Sequence, residues 1–436
     1  MIIHDEIARQ LPDTRRRVLE LMNKSGDCHI ANITINHLLG GIKNIDLLVS
    51  DISYADVEKG LCLRGYSIPE VLNRLPKPKG INMPYIGGLY YLLMTGNFPT
   101  KSQAQVIEKD WSLRASQIPD YIFKMLSIMP RDTHPMTLLS QAVLALQNTS
   151  SFERTYRLEI NKKSSWESAL DDSLDLTAKL PVIAAYIYQL KYSNNVEIPQ
   201  YNSQLDYAHN LARMMNVSDE EAYANLTRFY FTLHSDHGSG NVSAHTMHLV
   251  GSVLSSPFYA FSASLNALAG PLHGLASQES LNWLLKILKN FGGIPTASEL
   301  SKYVSQEINS GKIIPGYSHA LLKVIDPRFV MLLNYANDHF PQDELVRLSN
   351  LIFTIITSEL ASKTSNPNPN LDAVSGVLQY HYGVTQSDFY PVIFGLSRSL
   401  GLTANYVWSR ALNFPIERPN SLTIQMLEDI AKKNNF

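Results

Sequence analysis

Cysteine is almost absent from this chain, which has two, Cys28 and Cys62, among 436 residues. Two cysteines by themselves make neither a disulfide framework nor a zinc site, so we expect a protein of a reducing compartment. Charged residues are also few, at 17%, against an apolar content of 45%. A low charge content indicates that part of the surface is hidden, for instance in an interface between subunits.

Long apolar runs and basic clusters are missing as well. No run approaches the length of about 20 apolar residues that a membrane helix needs. The net charge is −2, and the one basic run is Arg15-Arg16-Arg17. We therefore expect neither a membrane span nor a nucleic-acid partner. The first residues include Asp5 and Glu6 and lack an apolar core, which is typical of neither a secretory signal nor a transit peptide.

Strand patterns are scarce and occur only before residue 70. Ala31–Ile35 alternates like a strand, and Val57–Tyr66 predicts a short hairpin. Residues 1–25 predict a helical arm with a start at Asp13-Thr14. Within the helical pattern Ser168–Lys191, Pro181 should kink or split the helix. The predicted fold class is mainly α, with a small β element near the N-terminus.

Helical patterns account for most of the remaining chain, and glycine and proline separate them. They predict helices at residues 89–94, 103–114, 121–129, 138–146, 223–233, 249–268, 275–290, 298–309, 343–361 and 388–412.

Histidine is concentrated between residues 234 and 248, where four of the 13 histidines lie: His234, His237, His245 and His248. Their spacing permits a four-histidine metal site. However, Asp236 is the one carboxylate nearby, and Gly238 and Gly240 interrupt any helix between the pairs. We therefore favour the interpretation that His245 and His248 are helix residues inside the core. His237, just before the Gly-Ser-Gly stretch, is better placed to meet a ligand.

Two more histidines lie in turn-like contexts. His273 precedes a helical run, and a helix N-terminus would keep its imidazole neutral, able to donate to a carbonyl that becomes an enol. A plain structural role at the helix start remains an alternative. His319 follows the Pro315-Gly316 turn, and Arg328 comes shortly after it. A histidine and a guanidinium together suit a substrate that carries carboxylates.

Asp372 and Arg398 are the remaining candidates. Asp372 begins a helical run, where aspartate is also a favoured cap, so a structural role is again an alternative. Arg398 lies in an apolar helix. Because an unpaired arginine is rarely buried, we expect Arg398 to have an anionic partner.

From about Asn32 to Pro419 the chain resembles the citrate synthases found in mitochondria and some bacteria. Several separate motifs carry the resemblance in the right order. They are His234-Ser235-Asp236-His237, Asn241-Val242-Ser243-Ala244-His245, Gly270-Pro271-Leu272-His273-Gly274, Gly316-Tyr317-Ser318-His319-Ala320, Asp326-Pro327-Arg328, Leu371-Asp372-Ala373, Gly395-Leu396-Ser397-Arg398 and Glu417-Arg418-Pro419.

The resemblance implies an all-helical homodimer that closes over oxaloacetate and then acetyl-CoA, without a metal or other cofactor. It implies a large domain (1–273), a small mobile domain (274–380) and a C-terminal segment (381–436) that completes the large domain. Asp372 would take a proton from the acyl α-carbon, His273 would hydrogen-bond the thioester oxygen, and His319 would protonate the new alkoxide. The oxaloacetate carboxylates would be held by His237, Arg328, Arg398 and the partner subunit's Arg418.

Coenzyme contacts are the part in which this sequence departs from the family pattern. The resemblance assigns coenzyme contacts to Lys43, Arg154, Gly316, Ala320 and Lys323. The departures are Lys43 and Lys323 for arginine, Ser318 for glycine, Ser365 for lysine, Val374 for histidine and Gly238 for glutamate. Lysine keeps the charge but loses the bidentate fork of arginine.

These departures leave two alternatives to acetyl-CoA condensation. One is a 2-methylcitrate or alkylcitrate synthase that uses a longer acyl-CoA. The other is a non-catalytic scaffold, although a scaffold has no need of His273, His319 and Asp372. The location would be cytoplasmic in a bacterium, or the mitochondrial matrix if a leader has been removed.

Overall fold

The computed structural model describes residues 2–43, 45–56, 60–158, 165–238, 240–317, 324–360 and 367–434. Within these ranges the chain forms twenty α-helices. They are α1 (Ile2–Ser25), α2 (Ile35–Leu39), α3 (Ile68–Arg74), α4 (Ile86–Thr95), α5 (Lys101–Ala115), α6 (Asp120–Ser127), α7 (Pro135–Leu146), α8 (Ser151–Arg157), α9 (Ser165–Tyr192), α10 (Tyr207–Met214), α11 (Glu220–His234), α12 (Val242–Ser252), α13 (Pro257–Leu268), α14 (Ala276–Phe291), α15 (Ala297–Asn309), α16 (Pro327–His339), α17 (Glu344–Leu360), α18 (Asp372–His381), α19 (Tyr390–Ala411) and α20 (Ile424–Lys433). The mainly helical fold class is confirmed.

A small antiparallel sheet supplies the β element. Its strands are β1 (Ser53–Asp56), β2 (Gly60–Leu63) and β3 (Tyr66–Ser67), in the order β1-β2-β3. Leu63 pairs with both Ser53 and Tyr66. The hairpin predicted at Val57–Tyr66 is thus confirmed in place, although residues 57–59 lie outside the described ranges.

The strand predicted at Ala31–Ile35 is wrong. The chain has no regular structure from Cys28 to Thr34, and α2 begins at Ile35. The Thr34 side chain accepts from the His37 backbone, and the His37 side chain accepts from the Thr34 backbone. This reciprocal cap satisfies two backbone donors and starts a helix inside the alternating stretch.

Three predicted helix boundaries need correction. The N-terminal helix begins at Ile2 rather than at Asp13, and it continues through Pro12. The helix predicted at 249–268 is two helices, α12 and α13, because Pro257 begins a new helix after Ser256. Pro181 does not split α9, which runs unbroken for 28 residues. Burial of α9 against its neighbours compensates for the hydrogen bond that proline removes.

Helix α19 forms the centre of the core. Nearly all of its residues are buried, and it packs against α9, α11, α12 and α13. A helix that is apolar on all sides must be enclosed by others. Helices α14 to α18 pack mainly on one another, and α14 also contacts α19. The domain boundaries at 274 and 380 stay a prediction.

No helix in the part of the chain that the structure describes is long and apolar enough to cross a membrane.

Candidate active site

The histidine-rich loop follows α11, and one buried carboxylate fixes it. Asp236 accepts a hydrogen bond from Ser53 Oγ at 2.8 Å and one from Asn405 Nδ2 at 3.2 Å. Ser53 Oγ in turn accepts from the Gly238 N–H at 2.6 Å. Strand β1 and helix α19 therefore hold the loop from two sides, and no local signal in the sequence predicts this.

Gly401 lets α19 approach the loop. Its N–H donates to Ser235 O at 3.0 Å, and a Cβ built on Gly401 would overlap the Asp236 side chain. Because Arg398 lies one turn earlier on α19, this close approach also sets the depth at which its guanidinium enters the site.

Arg398 is buried, with 2% of its surface exposed. Its Nε donates to His234 O at 3.0 Å, its Nη1 donates to Asn241 Oδ1 at 3.2 Å, and its guanidinium lies 4.7 Å from the Phe394 ring centroid. Burial lowers the pKa of Arg398 to about 10, so the group remains a cation at neutral pH. Arg398 forms no ion pair with any described residue. The anionic partner expected from the sequence is therefore not a side chain of the described part of the chain.

Arg328, by contrast, already has an anion. Its Nε and Nη2 donate to the two oxygens of Asp326 at 3.0 and 2.8 Å, which is a bidentate pair. Its Nη1 donates to Leu233 O at 3.3 Å. Both arginines thus touch the last turn of α11, just before His237, which is partly buried.

His273 lies in the turn before α14, and a polar network supports it. Its Nε2 is 2.9 Å from Ser243 Oγ, which is 2.8 Å from Asn241 Oδ1, the same atom that Arg398 contacts. The sequence motif contains Asn241 and Ser243, but at the start of α12 both resemble ordinary capping residues. Their functional position is visible only once α12, α14 and α19 are packed together.

The pKa of the His273 imidazole is lowered to about 4 by burial and, to a lesser extent, by the charge of Arg398. The imidazole is therefore neutral near pH 7. The sequence predicts a neutral imidazole from the position at a helix start. In the structure, burial is the main cause of the lowered pKa. The His273 ring also lies edge-on to Phe394, with centroids 6.1 Å apart, so the imidazole and the Arg398 guanidinium are neighbours of the same phenyl ring.

Asp372 is the first residue of α18, and Leu371 occupies the cap position. Burial raises the pKa of Asp372 from 3.8 to about 6, while Arg328 and Arg398 oppose the rise. A carboxyl group with this pKa is largely ionised at pH 7 yet remains a stronger base than an exposed aspartate.

Gly316 lies directly behind Asp372. Its φ is +79°, and a Cβ at this position would lie 2.6 Å from Ala373 Cα. Its carbonyl accepts from the Asn370 N–H at 2.9 Å, and Asn370 Oδ1 accepts from the Asp372 N–H, also at 2.9 Å. The turn that leads towards residue 318 is therefore joined to the start of α18. His319, Ser318, Ala320, Lys323 and Ser365 lie outside the described residues.

The four clustered histidines do not converge. His234 is stacked on Tyr230 and its Nδ1 is 3.0 Å from Tyr230 O, whereas His245 and His248 approach Glu417. The last two are helix residues, as expected, and both lie on α12. They are not enclosed in the core, because both approach Glu417 and their side chains are 42% and 17% exposed. In the described ranges no group of three or more His, Cys, Asp or Glu could hold a metal ion.

A family model, related sequences and solved structures all match this chain to citrate synthases. Residues 41–420 match the family model described as citrate synthase, C-terminal domain. The mitochondrial citrate synthase of Xiphias gladius is 43% identical over 423 residues, which cover 97% of this chain and 90% of that protein. Citrate synthase 4, mitochondrial, of Arabidopsis thaliana is 41% identical over 99% of this chain and 91% of its own length. The chain belongs to the citrate synthase family. It is thereby an acyltransferase of the citrate synthase type.

Solved citrate synthases share the fold. The enzyme of Pyrobaculum aerophilum has a TM-score of 0.76 at 25% identity, covering 88% of this chain and 92% of its own. A Thermoplasma acidophilum citrate synthase, solved as a ternary complex with carboxymethyl coenzyme A and oxaloacetate, has a TM-score of 0.75 at 20% identity. It covers 90% of this chain and 97% of its own.

The residues expected to contact the coenzyme do not lie together as Arg328, Arg398, His273 and Asp372 do. Lys43 and Arg154 are both exposed, on the segment after α2 and on α8. Gly316 is buried beside Asp372 rather than at the surface. Val374 is fully buried in α18, and Gly238 has a φ of +78° in the histidine loop. Arg418 is exposed on the segment that follows α19.

Proposed function

We propose that this chain condenses acetyl-CoA with oxaloacetate and water to give citrate and CoA, using the residues assembled around Phe394. The observation that carries the proposal is the buried Arg398 cation, which lacks an ion-pair partner among the described residues. A dianionic keto acid supplies the missing charge. A neutral His273 and a basic Asp372 next to the same cation suit the enolisation of a thioester.

Asp372 acts as the general base that removes a proton from the acetyl methyl group. His273 donates a hydrogen bond to the thioester oxygen as the enol forms. In the structure the Ser243 hydroxyl donates to Asn241 Oδ1, which also accepts from Arg398. For the reaction, this hydroxyl rotates to donate to His273 Nε2 instead, and Asn241 Oδ1 keeps its bond from Arg398. This arrangement leaves the proton of the neutral ring on Nδ1, where it is available to the thioester.

The enol carbon then attacks the keto carbon of oxaloacetate. His237, Arg328 and Arg398 bind the carboxylates, and His319 protonates the new alkoxide. Water finally cleaves the citryl thioester. We infer that residues 274–380 move as a unit over the bound substrates, because closure orients the reactants and excludes water until condensation is complete. The reaction as proposed uses side-chain acid–base chemistry alone, without a metal or prosthetic group.

A second copy of the chain completes the assembly. Helix α20 has no buried residue, and it exposes Ile424, Met426 and Ile430. Leu19 and Met22 are likewise exposed on the second half of α1, although Ile3 and Ile7 at its start are buried. Apolar surface on two terminal helices fits a homodimer interface, which would bring the partner subunit's Arg418 to the oxaloacetate site.

The similarity to mitochondrial relatives supports a location in the mitochondrial matrix. A cytoplasmic location is proposed if the source is a bacterium. Subcellular fractionation of the source cells, with the protein detected by antibody, distinguishes the two.

The test is release of CoA thiol with oxaloacetate and acetyl-, propionyl- or hexanoyl-CoA. We expect the highest kcat/KM with acetyl-CoA. We also expect that Asp372→Ala lowers kcat by about 10²- to 10⁴-fold, the usual contribution of a general base. Preference for a longer donor would indicate an alkylcitrate synthase, and no release with any donor would leave only the scaffold.

A further inference from the structure

Among the described residues, Glu417 is the last one that forms a hydrogen bond with a part of the chain outside the C-terminal segment. Its Oε1 lies 2.7 Å from His245 Nε2, and its N–H donates to Ser252 Oγ at 3.1 Å. His248 Nε2 is 3.7 Å from the other carboxylate oxygen. All three partners belong to α12. Beyond Glu417, the hydrogen bonds among described residues 418–434 stay within that segment.

Arg418 follows immediately and has the opposite environment. Its side chain is exposed, and it forms no hydrogen bond or ion pair with the described part of the chain. The segment from Phe414 to Thr423 is not helical. In extended chain, successive side chains point to opposite sides, so holding Glu417 against α12 directs Arg418 away from its own subunit.

We propose that Glu417 is a positioning residue for the neighbouring active site, since it fixes the segment from which Arg418 reaches the partner's oxaloacetate. This inference rests on the proposed function, in which Arg418 acts in the partner subunit. Helix α12 then supports two sites at once. Ser243 near its start contacts His273 of its own site, and His245 and His248 approach Glu417, which precedes the arginine proposed to serve the other site.

Loss of the Glu417 contacts would leave Arg418 at the start of a loosely held segment. The guanidinium would then lose more conformational freedom each time it binds a carboxylate. That carboxylate is not the reacting centre, so we expect the KM for oxaloacetate to rise while kcat stays near the parent value. The scale is that of one partly exposed ion pair, about fivefold.

Hybrid dimers provide the test, because they separate the two subunits. One chain carries Asp372→Ala, so all turnover comes from the other chain, which uses the first chain's Arg418. Glu417→Ala is placed either on the Asp372→Ala chain or on the chain with intact Asp372. We expect the higher KM for oxaloacetate only when Glu417→Ala is on the Asp372→Ala chain. An equal effect in both arrangements, or an effect only in the other, would overturn the proposal.

Two further variants and one control separate a positioning role from a general loss of structure. His245→Ala removes the same contact from the α12 side, so it should reproduce the result in the same arrangement and add little to Glu417→Ala. Glu417→Gln keeps an acceptor for His245 and should restore much of the parent KM. Glu307→Ala, which breaks a 2.7 Å pair with Lys312, is the matched control and should leave the KM unchanged. Failure of His245→Ala to raise the KM would contradict the proposal.

Calorimetric titration of homodimers with oxaloacetate tests the inference without turnover. Weaker binding to Glu417→Ala, by a similar factor, supports it even if no acyl donor is consumed. Parent-like binding to Glu417→Ala, together with weak binding to Arg418→Ala, would overturn it. Absence of thiol release by the parent protein would refute the proposed reaction alone.

Discussion

The two sides of the candidate site differ in how their charges are held. On the side proposed to bind oxaloacetate, Arg398 and Arg328 are buried, and each donates a hydrogen bond to a backbone carbonyl of α11. On the side proposed to bind the coenzyme, Lys43 and Arg154 are exposed, and they lie on separate segments. A buried charge needs every one of its partners, because losing one leaves an uncompensated ion in a medium of low polarity. An exposed charge is screened by water and salt, so its loss has a small effect.

This contrast in exposure accounts for part of the departure from the family pattern. The catalytic and oxaloacetate positions keep the expected residue types, whereas Lys43 and several other coenzyme positions do not. Exposure accounts for the change at Lys43, whereas Val374 and Gly238 depart at buried positions. For the charged residues, the contrast in exposure predicts a graded series of effects.

The largest effect is expected from Arg398→Gln. It removes a buried cation that forms no ion pair with a described residue and that is proposed to bind a carboxylate, so kcat/KM for oxaloacetate should fall by about a hundredfold or more. Arg398→Lys keeps a charge but loses the fork, and it should be intermediate. Steady-state kinetics with varied oxaloacetate measure both. An effect no larger than that of Arg154→Gln would contradict the contrast between the two sides.

Asp372→Asn should stabilise the protein while abolishing turnover. The pKa of Asp372 is raised from 3.8 to about 6, so the folded state holds the proton more tightly than the unfolded state does. Ionised Asp372 therefore lowers the free energy of unfolding at any pH above 6, and the penalty disappears as the pH falls towards 3.8. Its upper limit is about 3 kcal/mol.

Urea denaturation at pH 7, at fixed protein concentration, measures this gain. Asp338→Asn, which changes an exposed carboxylate, is the control and should leave the free energy of unfolding unchanged. A gain that is equally large at pH 4 would rule out ionisation of Asp372 as its cause.

The pH dependence of turnover should follow the same carboxyl group. Below about pH 6, kcat/KM should fall up to tenfold per pH unit as Asp372 is protonated. His273, with a pKa of about 4, stays neutral and adds no second slope above pH 5. A profile from pH 5 to 8 measures the midpoint. A profile that stays flat down to pH 5 would mean that Asp372 behaves as an exposed aspartate.

The smallest effect is expected on the coenzyme side. Arg154→Ala should raise the KM for acetyl-CoA several-fold, as expected for one screened phosphate contact, and leave the KM for oxaloacetate unchanged. Lys43→Arg should lower the KM for acetyl-CoA by a similar or smaller factor. Added salt should reduce both differences. A hundredfold rise in the KM for acetyl-CoA in Arg154→Ala would show that the exposed charges are as sensitive to substitution as the buried ones.

Local sequence patterns predict where the helices lie in the chain, but not which residues of different helices come into contact. Periodicity predicts α5, α15 and α19 to within a few residues, because each buries one or more faces at helical spacing. Alternation at Ala31–Ile35 fails, because the cap formed by Thr34 outweighs it. The contact of Ser53 with Asp236 crosses more than 180 residues, and nothing near either residue indicates it. The candidate side chains can be identified one by one from the sequence, but their shared contacts with Asn241 and Phe394 cannot.

Gly316 and Gly401 limit how the site can be re-engineered. Each faces another part of the chain where a single methyl group would collide, with Ala373 in one case and Asp236 in the other. A mutagenesis library that randomises these two codons would consist almost wholly of inactive clones. Directed evolution towards bulkier acyl donors should leave both codons unchanged and diversify exposed positions such as Lys43 and Arg154.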